Sequence, residues 1–389
     1  MKKLGTLVLC LFCTLLFVGC TQKPVKQSPT PSSVENNEPQ VVKIGVIAPL
    51  SGPAASIGKD AVSTFTFATK QFNSSQKKYT IELIIEDGKC NGKDASSAAQ
   101  KLVNIDNVKI ILGGVCSSET LAAAKITAPA GVVLVSAGSS SPEVSKETNY
   151  VYRYYNDLNQ ASTLKTYFDA NNISRIALMY ENNDYGIGYA TALKNILGDA
   201  NVIVSEKFSG DEKDFSLISK KVKAEENNID AIVFIPSSDS SSINIIKSLD
   251  NENLLSQFKG KVFTSEVGYS EAIVKQVGPL IEGILTTQLP NVSDLGSEAT
   301  SFIEAFKKEY EISFGEVFII LYKESFDMVT AGILNDTYGP SKLNAYIKSI
   351  TETNKRNGLF GSYYFKGADV ERLSFIIKQV QNGDLVSTK

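Results

Sequence analysis

In the stretch GGVCSSET, Gly113 to Thr120, a thiol stands beside two hydroxyls where a run of branched apolar residues ends. Cysteine and serine serve as nucleophiles only when a neighbouring base takes their proton. The chain has 389 residues and no histidine. Ser-His-Asp and Cys-His catalysis and histidine-containing zinc sites are therefore excluded. A lysine or carboxylate base is open in principle, but no lysine stands beside these serines. Anion binding is the other chemistry that such a stretch supports. With Ser117 or Ser118 at an N-cap and Glu119 in the first turn, the free N–H groups and dipole of a helix start would suit a carboxylate. On this stretch alone, capping is enough to explain the serines.

The pattern recurs in SAGSSSPEV. Gly138 permits close backbone approach, Ser139, Ser140 and Ser141 offer hydroxyls, Pro142 suits N1, and Glu143 suits the first turn. Two such turns on adjacent strands would share one anion, each helix start contributing about 0.3 to 2 kcal/mol. Further along, YENNDYGIGYA sets Tyr185 between a strand and a helix, either as a half-buried turn residue or as a ring on a cleft wall. GIG without a third spaced glycine does not make a dinucleotide loop, and there is no Walker-type phosphate loop. In VFTSEVGYS, Glu266 follows a strand directly. Alone it reads as a solvated loop acid. Across a cleft from the two serine turns it would complete a two-ended receptor for a zwitterion, carboxylate at one end and ammonium at the other.

Those turns need strands to place them. From Val41, short β-branched runs alternate with helical spacing, which predicts parallel sheets covered on both faces. Strands are expected at VVKIGVIAP, YTIELIIED, VKIILGG and GVVLVSAG, then again at RIALMY, NVIVSEKF, DAIVFIP and KVFTSE, with helices between. The fold class is α/β, with two doubly wound lobes joined by crossing hinge strands. The expected division is 41–157 plus about 286–364 for the first lobe, and 158–285 plus about 365–389 for the second. In open sheets of this kind ligands bind outside the carboxyl ends of the strands, where all the turns above fall.

The N-terminus reads MKK, then an apolar run from Leu4 to Val18, then Gly19-Cys20, which predicts an export leader over 1–19. FVGC resembles the lipobox of bacterial lipoproteins, with Phe17 where leucine is usual, and makes Cys20 the lipidated residue. Residues 20–40, rich in Pro, Ser, Gln and Asn, predict a flexible tether. Net charge is −3 with the leader, and loss of Lys2 and Lys3 makes it more negative. No basic concentration points to nucleic acid. Outside the leader and Cys20 only Cys90 and Cys116 remain. Cys90 follows the second strand, next to the GGVCSSET turn, and export implies oxidising surroundings, so a Cys90–Cys116 disulfide is expected. In the chain-entropy account it contributes about 3 to 4 kcal/mol. The competing free nucleophilic thiol lacks an obvious base.

APLSGPAASIGKD, VCSSET, SSPEVS, YGIGYA, DEKDFS and SEVG together resemble the type 1 periplasmic binding proteins of ABC transporters, and within them the leucine/isoleucine/valine-binding branch. The resemblance runs from about Val42 to the C-terminus. It implies the disulfide again. It also implies that Ser117, Gly138 and Ser140, with Ser139 beside them, hold a ligand carboxylate, and that Tyr185 and Glu266 reach the ligand from the other lobe. Two positions depart from the pattern. Ser237 or Ser238 stands where another aromatic contact is usual, and Ile57 occupies a wall position that is often aromatic. Val317 and Phe318 are further candidates for the cleft wall. The implied protein is a monomeric, lipid-anchored receptor on the outer side of a membrane. It binds an L-amino acid and passes it to a permease, without catalysis, cofactor, metal or nucleic acid. The alternative is a sensory receptor for an amide, urea or other small solute on the same fold.

Overall fold

A computed structural model describes residues 38–147, 149–372 and 374–388. The expected leader, Cys20 and most of the tether lie outside the described residues. From Pro39 onward the chain forms one compact unit built on two sheets.

The first sheet begins with β1 (Gln40–Ala48), β2 (Tyr79–Asp87), β3 (Ile110–Gly113), β4 (Val133–Ser136) and β5 (Val151–Arg153), separated by α1 (Ala55–Ser75), α2 (Gly92–Asn104) and α3 (Ser117–Thr127). Its central strands are buried along their length, as a parallel sheet covered on both faces requires. The two-residue period of a strand sorts its side chains between those faces. Val46, Ile110, Leu112 and Val135 pack beneath α1, whereas Ile47, Ile111 and Leu134 pack beneath the alanine-rich faces of α2 and α3.

The second sheet repeats the plan with β6 (Ile176–Glu181), β7 (Val202–Phe208), β8 (Ala231–Ile235), β9 (Val262–Thr264) and β10 (Leu285–Gln288). Its helices are α4 (Asp157–Ala170), α5 (Asp184–Leu197), α6 (Ser216–Ala224), α7 (Asp239–Asn251), α8 (Leu254–Gln257) and α9 (Glu271–Val277). The chain returns to the first lobe with α10 (Ser297–Phe306), α11 (Glu316–Leu334) and α12 (Pro340–Lys348), followed by β11 (Arg356–Gly358), β12 (Gly361–Lys366) and β13 (Asp369–Glu371). It ends in the second with β14 (Ile376–Gln381) and β15 (Asp384–Ser387). The first sheet runs β11-β12-β13-β5-β4-β3-β1-β2 and the second β15-β14-β10-β9-β8-β6-β7.

Both sheets are mixed rather than wholly parallel, because hairpins as short as those joining β12 to β13 and β14 to β15 allow only antiparallel neighbours. The expected crossings near 285 and 365 move toward the C-terminus. β10 pairs with β9, so the chain leaves the second lobe after Gln288. Residue 365 lies inside β12, and β13 still pairs with β5, so the last crossing follows Glu371. Local periodicity carries no sign of which sheet a strand joins. Buried Arg153 sits at the first crossing, donating to Ser141 O at 2.5 Å and Ser145 Oγ at 2.6 Å while pairing with Asp369.

Candidate ligand-binding site

The turn after β3 is fastened twice. Cys116 is disulfide-bonded to Cys90, joining it to the turn after β2. Beside the bond, the buried Glu119 carboxylate accepts the N–H of Cys90 at 3.0 Å, Val115 at 2.9 Å and Cys116 at 3.0 Å. Burial pushes this carboxyl up to about 7, against three N–H donors that favour the ionised form. The N-cap of α3 is therefore Cys116, and Ser117 is its first helical residue, in place of the expected serine cap. Freed from capping, Ser117 Oγ accepts the N–H of Ser140 at 3.2 Å and of Ser141 at 3.1 Å, tying the turn after β4 to the turn after β3. Its own proton remains to be donated.

After β4 the expected helix start at Pro142 is a short 3-10 turn, Pro142–Lys146. Gly138 approaches so closely that a Cβ there would stand 2.8 Å from Val115 O. Gly138 and Ser140 border a cavity between the lobes, together with Ser117 and Cys116. Ser139 does not border it. Its hydroxyl bonds Thr120 Oγ1 at 2.5 Å and Gly114 O at 3.1 Å, so it braces the turn instead of meeting a ligand.

From the second lobe, Asn183, Tyr185, Ser237 and Glu266 border the same cavity. Tyr185 lies in the first turn of α5 and donates to Glu266 Oε1 at 3.3 Å. Glu266 Oε2 is buried without a hydrogen-bond partner, and no lysine or arginine pairs with this carboxylate among the described residues. Burial pushes Glu266 up to about 7. Of the two serines after β8, Ser237 borders the cavity, while Ser238 caps α7 through the N–H of Ser241.

A second acid was missed. Asp157 opens α4 at the first crossing and is fully buried. Its N–H donates to Ser140 O at 2.9 Å, Oδ1 accepts from Gln160 at 2.9 Å, and Oδ2 has no partner. Burial first, and the Glu266 charge second, hold its carboxyl well above the usual range. In the sequence it is an ordinary first-turn acid. Burial also keeps the surrounding phenols Tyr155, Tyr185 and Tyr189 protonated.

The remaining wall is apolar. Ile57 and Phe318 border the cavity as expected, Phe314 and Tyr322 join them, and Val317 packs into the first-lobe core instead. Buried Asp60 of α1 accepts the N–H groups of Ser313 and Phe314, each at 2.8 Å, and so holds the loop that presents Phe314. The lobes touch at the cleft. A Cβ on Gly188 of α5 would stand 2.4 Å from Ser141 Oγ, so the GIG glycine serves packing between lobes.

A sequence model described as periplasmic binding protein matches residues 41–362. The chain belongs to the periplasmic binding protein family. It is similar to the Leu/Ile/Val-binding protein of Escherichia coli K12, with 26% identity over 315 residues, 79% of this chain and 83% of that one. Among solved structures it is similar to a leucine binding protein of Thermotoga maritima, with TM-score 0.78, 20% identity, and 90% of this chain and 98% of that one covered. It is similar also to an ABC transporter solute binding protein of Rhodopseudomonas palustris in complex with 4-hydroxybenzoate, with TM-score 0.77, 19% identity, and 90% and 96% covered. The type 1 fold and the branched-chain amino acid branch expected from the sequence agree with the Escherichia coli and Thermotoga maritima relatives.

Proposed function

We propose that this periplasmic binding protein is the receptor of an ABC importer for a free L-amino acid, anchored by lipid at Cys20 and tethered through residues 20–40. The observation that carries the reading is the pairing of opposite chemistries across one cavity. Ser117 presents a hydroxyl proton and Gly138 a backbone amide to a carboxylate, with the Ser140 hydroxyl beside them. Glu266, oriented by Tyr185 and backed by Asp157, presents a buried anion with an unpartnered oxygen to an ammonium. An isolated buried carboxylate is costly unless a cation meets it, so a neutral amide or urea leaves the site unbalanced. An aromatic acid such as 4-hydroxybenzoate suits the carboxylate end and does nothing for Glu266.

Each lobe supplies one end of the grip, so the shut form gains contacts that neither lobe has alone, and the protein acts by closing on its ligand as a monomer without covalent chemistry. The shut form is what it presents to the permease. The test is a thermal-shift screen of residues 41–389 against the common amino acids, urea, acetamide and benzoates, followed by calorimetry. A ligand that binds only the folded state raises the melting temperature. We expect a rise with one or more L-amino acids and none with their amides or with benzoates. A response confined to benzoates or to neutral solutes overturns the reading.

A further inference from the structure

With the carboxylate and ammonium ends assigned as above, a reading on which this inference rests, the third substituent of the ligand faces Ile57, Val115, Phe314, Phe318 and Tyr322. Their side chains are hydrocarbon, with one exception, the Tyr322 hydroxyl. Tyr322, one turn of α11 beyond Phe318, is buried and its hydroxyl has no hydrogen-bond partner. Its ring packs edge-on against Phe65, with centroids 5.8 Å apart, which fixes the ring but satisfies none of the hydroxyl. The two acids whose charges act on the phenol are already engaged by backbone amides, Asp60 by those of Ser313 to Gly315 and Glu119 by those of Cys90, Val115 and Cys116.

We propose that Tyr322 is a specificity-determining residue, and that the ligand side chain carries an uncharged oxygen, a hydroxyl or an amide carbonyl, which accepts the Tyr322 proton. A buried hydroxyl left unmatched loses free energy, whereas a matched one discriminates strongly against an analogue that lacks the group. Burial and the two acids hold the phenol well above its ordinary range, so it is a neutral donor at any physiological pH. A charged side chain is disfavoured by the hydrocarbon walls, which provide no counter-ion.

Calorimetry with pairs matched in size tests this on the whole folded region, residues 41–389. The pairs are threonine against valine, serine against alanine, and glutamine against methionine. In the wild type the polar member of at least one pair binds about tenfold or more tightly than its partner. In Tyr322→Phe that ratio falls to near unity, mainly through tighter binding of the apolar member, while the melting temperature stays near the wild-type value. If amino acids bind but the apolar member equals or beats the polar one in every pair, this proposal fails and the two-ended site stands. A ratio that survives Tyr322→Phe also overturns it. If no amino acid binds, the receptor reading fails and this inference with it. The wild-type ratios alone decide the matter should the variant not fold.

Discussion

The two rims of the cavity are built on opposite principles. On the first lobe nearly every polar group that shapes the rim is already satisfied. Ser117 accepts two amides, Ser139 is braced by Thr120, and Glu119 gathers three N–H groups beside a disulfide. On the second lobe the rim is unsatisfied. Glu266 and Asp157 are buried with one oxygen each unpartnered, and the Glu266 charge raises the affinity of Asp157 for a proton. The first rim is a finished mould, stable whether or not a ligand is present. The second stores unfavourable desolvation that a cation relieves. A receptor divided in this way gains most from its ligand on the side that suffers most without it, which couples capture to closure.

The contrast breaks most sharply at Glu266. Glu266→Ala should weaken amino-acid binding by more than a hundredfold, about 3 to 5 kcal/mol for a buried pair that loses one partner. An unchanged dissociation constant by calorimetry removes Glu266 from the site. On the finished rim the expected penalty is in stability. Cys90→Ser with Cys116→Ser should cost about 3 to 4 kcal/mol in denaturant unfolding through loop closure, with affinity changed less than about threefold because Glu119 still joins the two turns. A collapse of affinity would mean that the carboxylate does not suffice. Ser117→Ala removes one donor to a charged group and should weaken binding by roughly ten- to a hundredfold, about 1.5 to 3 kcal/mol.

The last effect is in pH, and it is graded rather than all-or-none. Glu266 is raised from 4.5 to about 7 by burial, and Asp157 is raised beside it by burial and the Glu266 charge, against the Arg153 charge and the Gln160 amide that favour its ionised form. An ionised Glu266 attracts an ammonium and a protonated one does not, so affinity should climb as pH rises to about 7 and level off above it, by about tenfold per unit below that point. The ligand-free protein should show the reverse. A raised acid contributes stability below its unfolded value, and that contribution disappears as pH rises from about 4.5 through about 7. Glu266→Gln should flatten both curves. Curves of wild type and variant that coincide would show that this carboxyl does not titrate there.

How much of this was legible in the sequence follows from the range of the forces involved. The strands were visible because a parallel strand covered on both faces must be almost continuously apolar, as in VKIILGG and DAIVFIP. Ser117, Ser140 and Gly138 were visible because strand-end turns collect small residues, and Glu266 because an acid directly after a strand lacks a local reason. Ser139 carried the same local signature as its neighbours and points the other way, since only the tertiary position of Thr120 turns it inward. Asp157 was hidden for the opposite reason. A first-turn acid has an excellent local role, and nothing nearby in the chain reveals that it lies behind Ser140 and opposite Glu266. Tyr322 lies about two hundred residues from the turns it faces, on a helix whose apolar spacing reads simply as core, and Phe314 lies in the loop just before that helix. The crossings were displaced because which sheet a strand joins is a long-range choice.

Gly188 sets how tightly the jaws can shut. With only hydrogen on its α-carbon facing Ser141, α5 settles against the opposite lip, and any larger residue there would act as a doorstop. A Gly188→Val protein would retain every group that grips the ligand and yet hold its two halves ajar. Small-angle scattering at saturating ligand would then find a larger radius of gyration than in the wild type, and such a protein would separate loading from delivery.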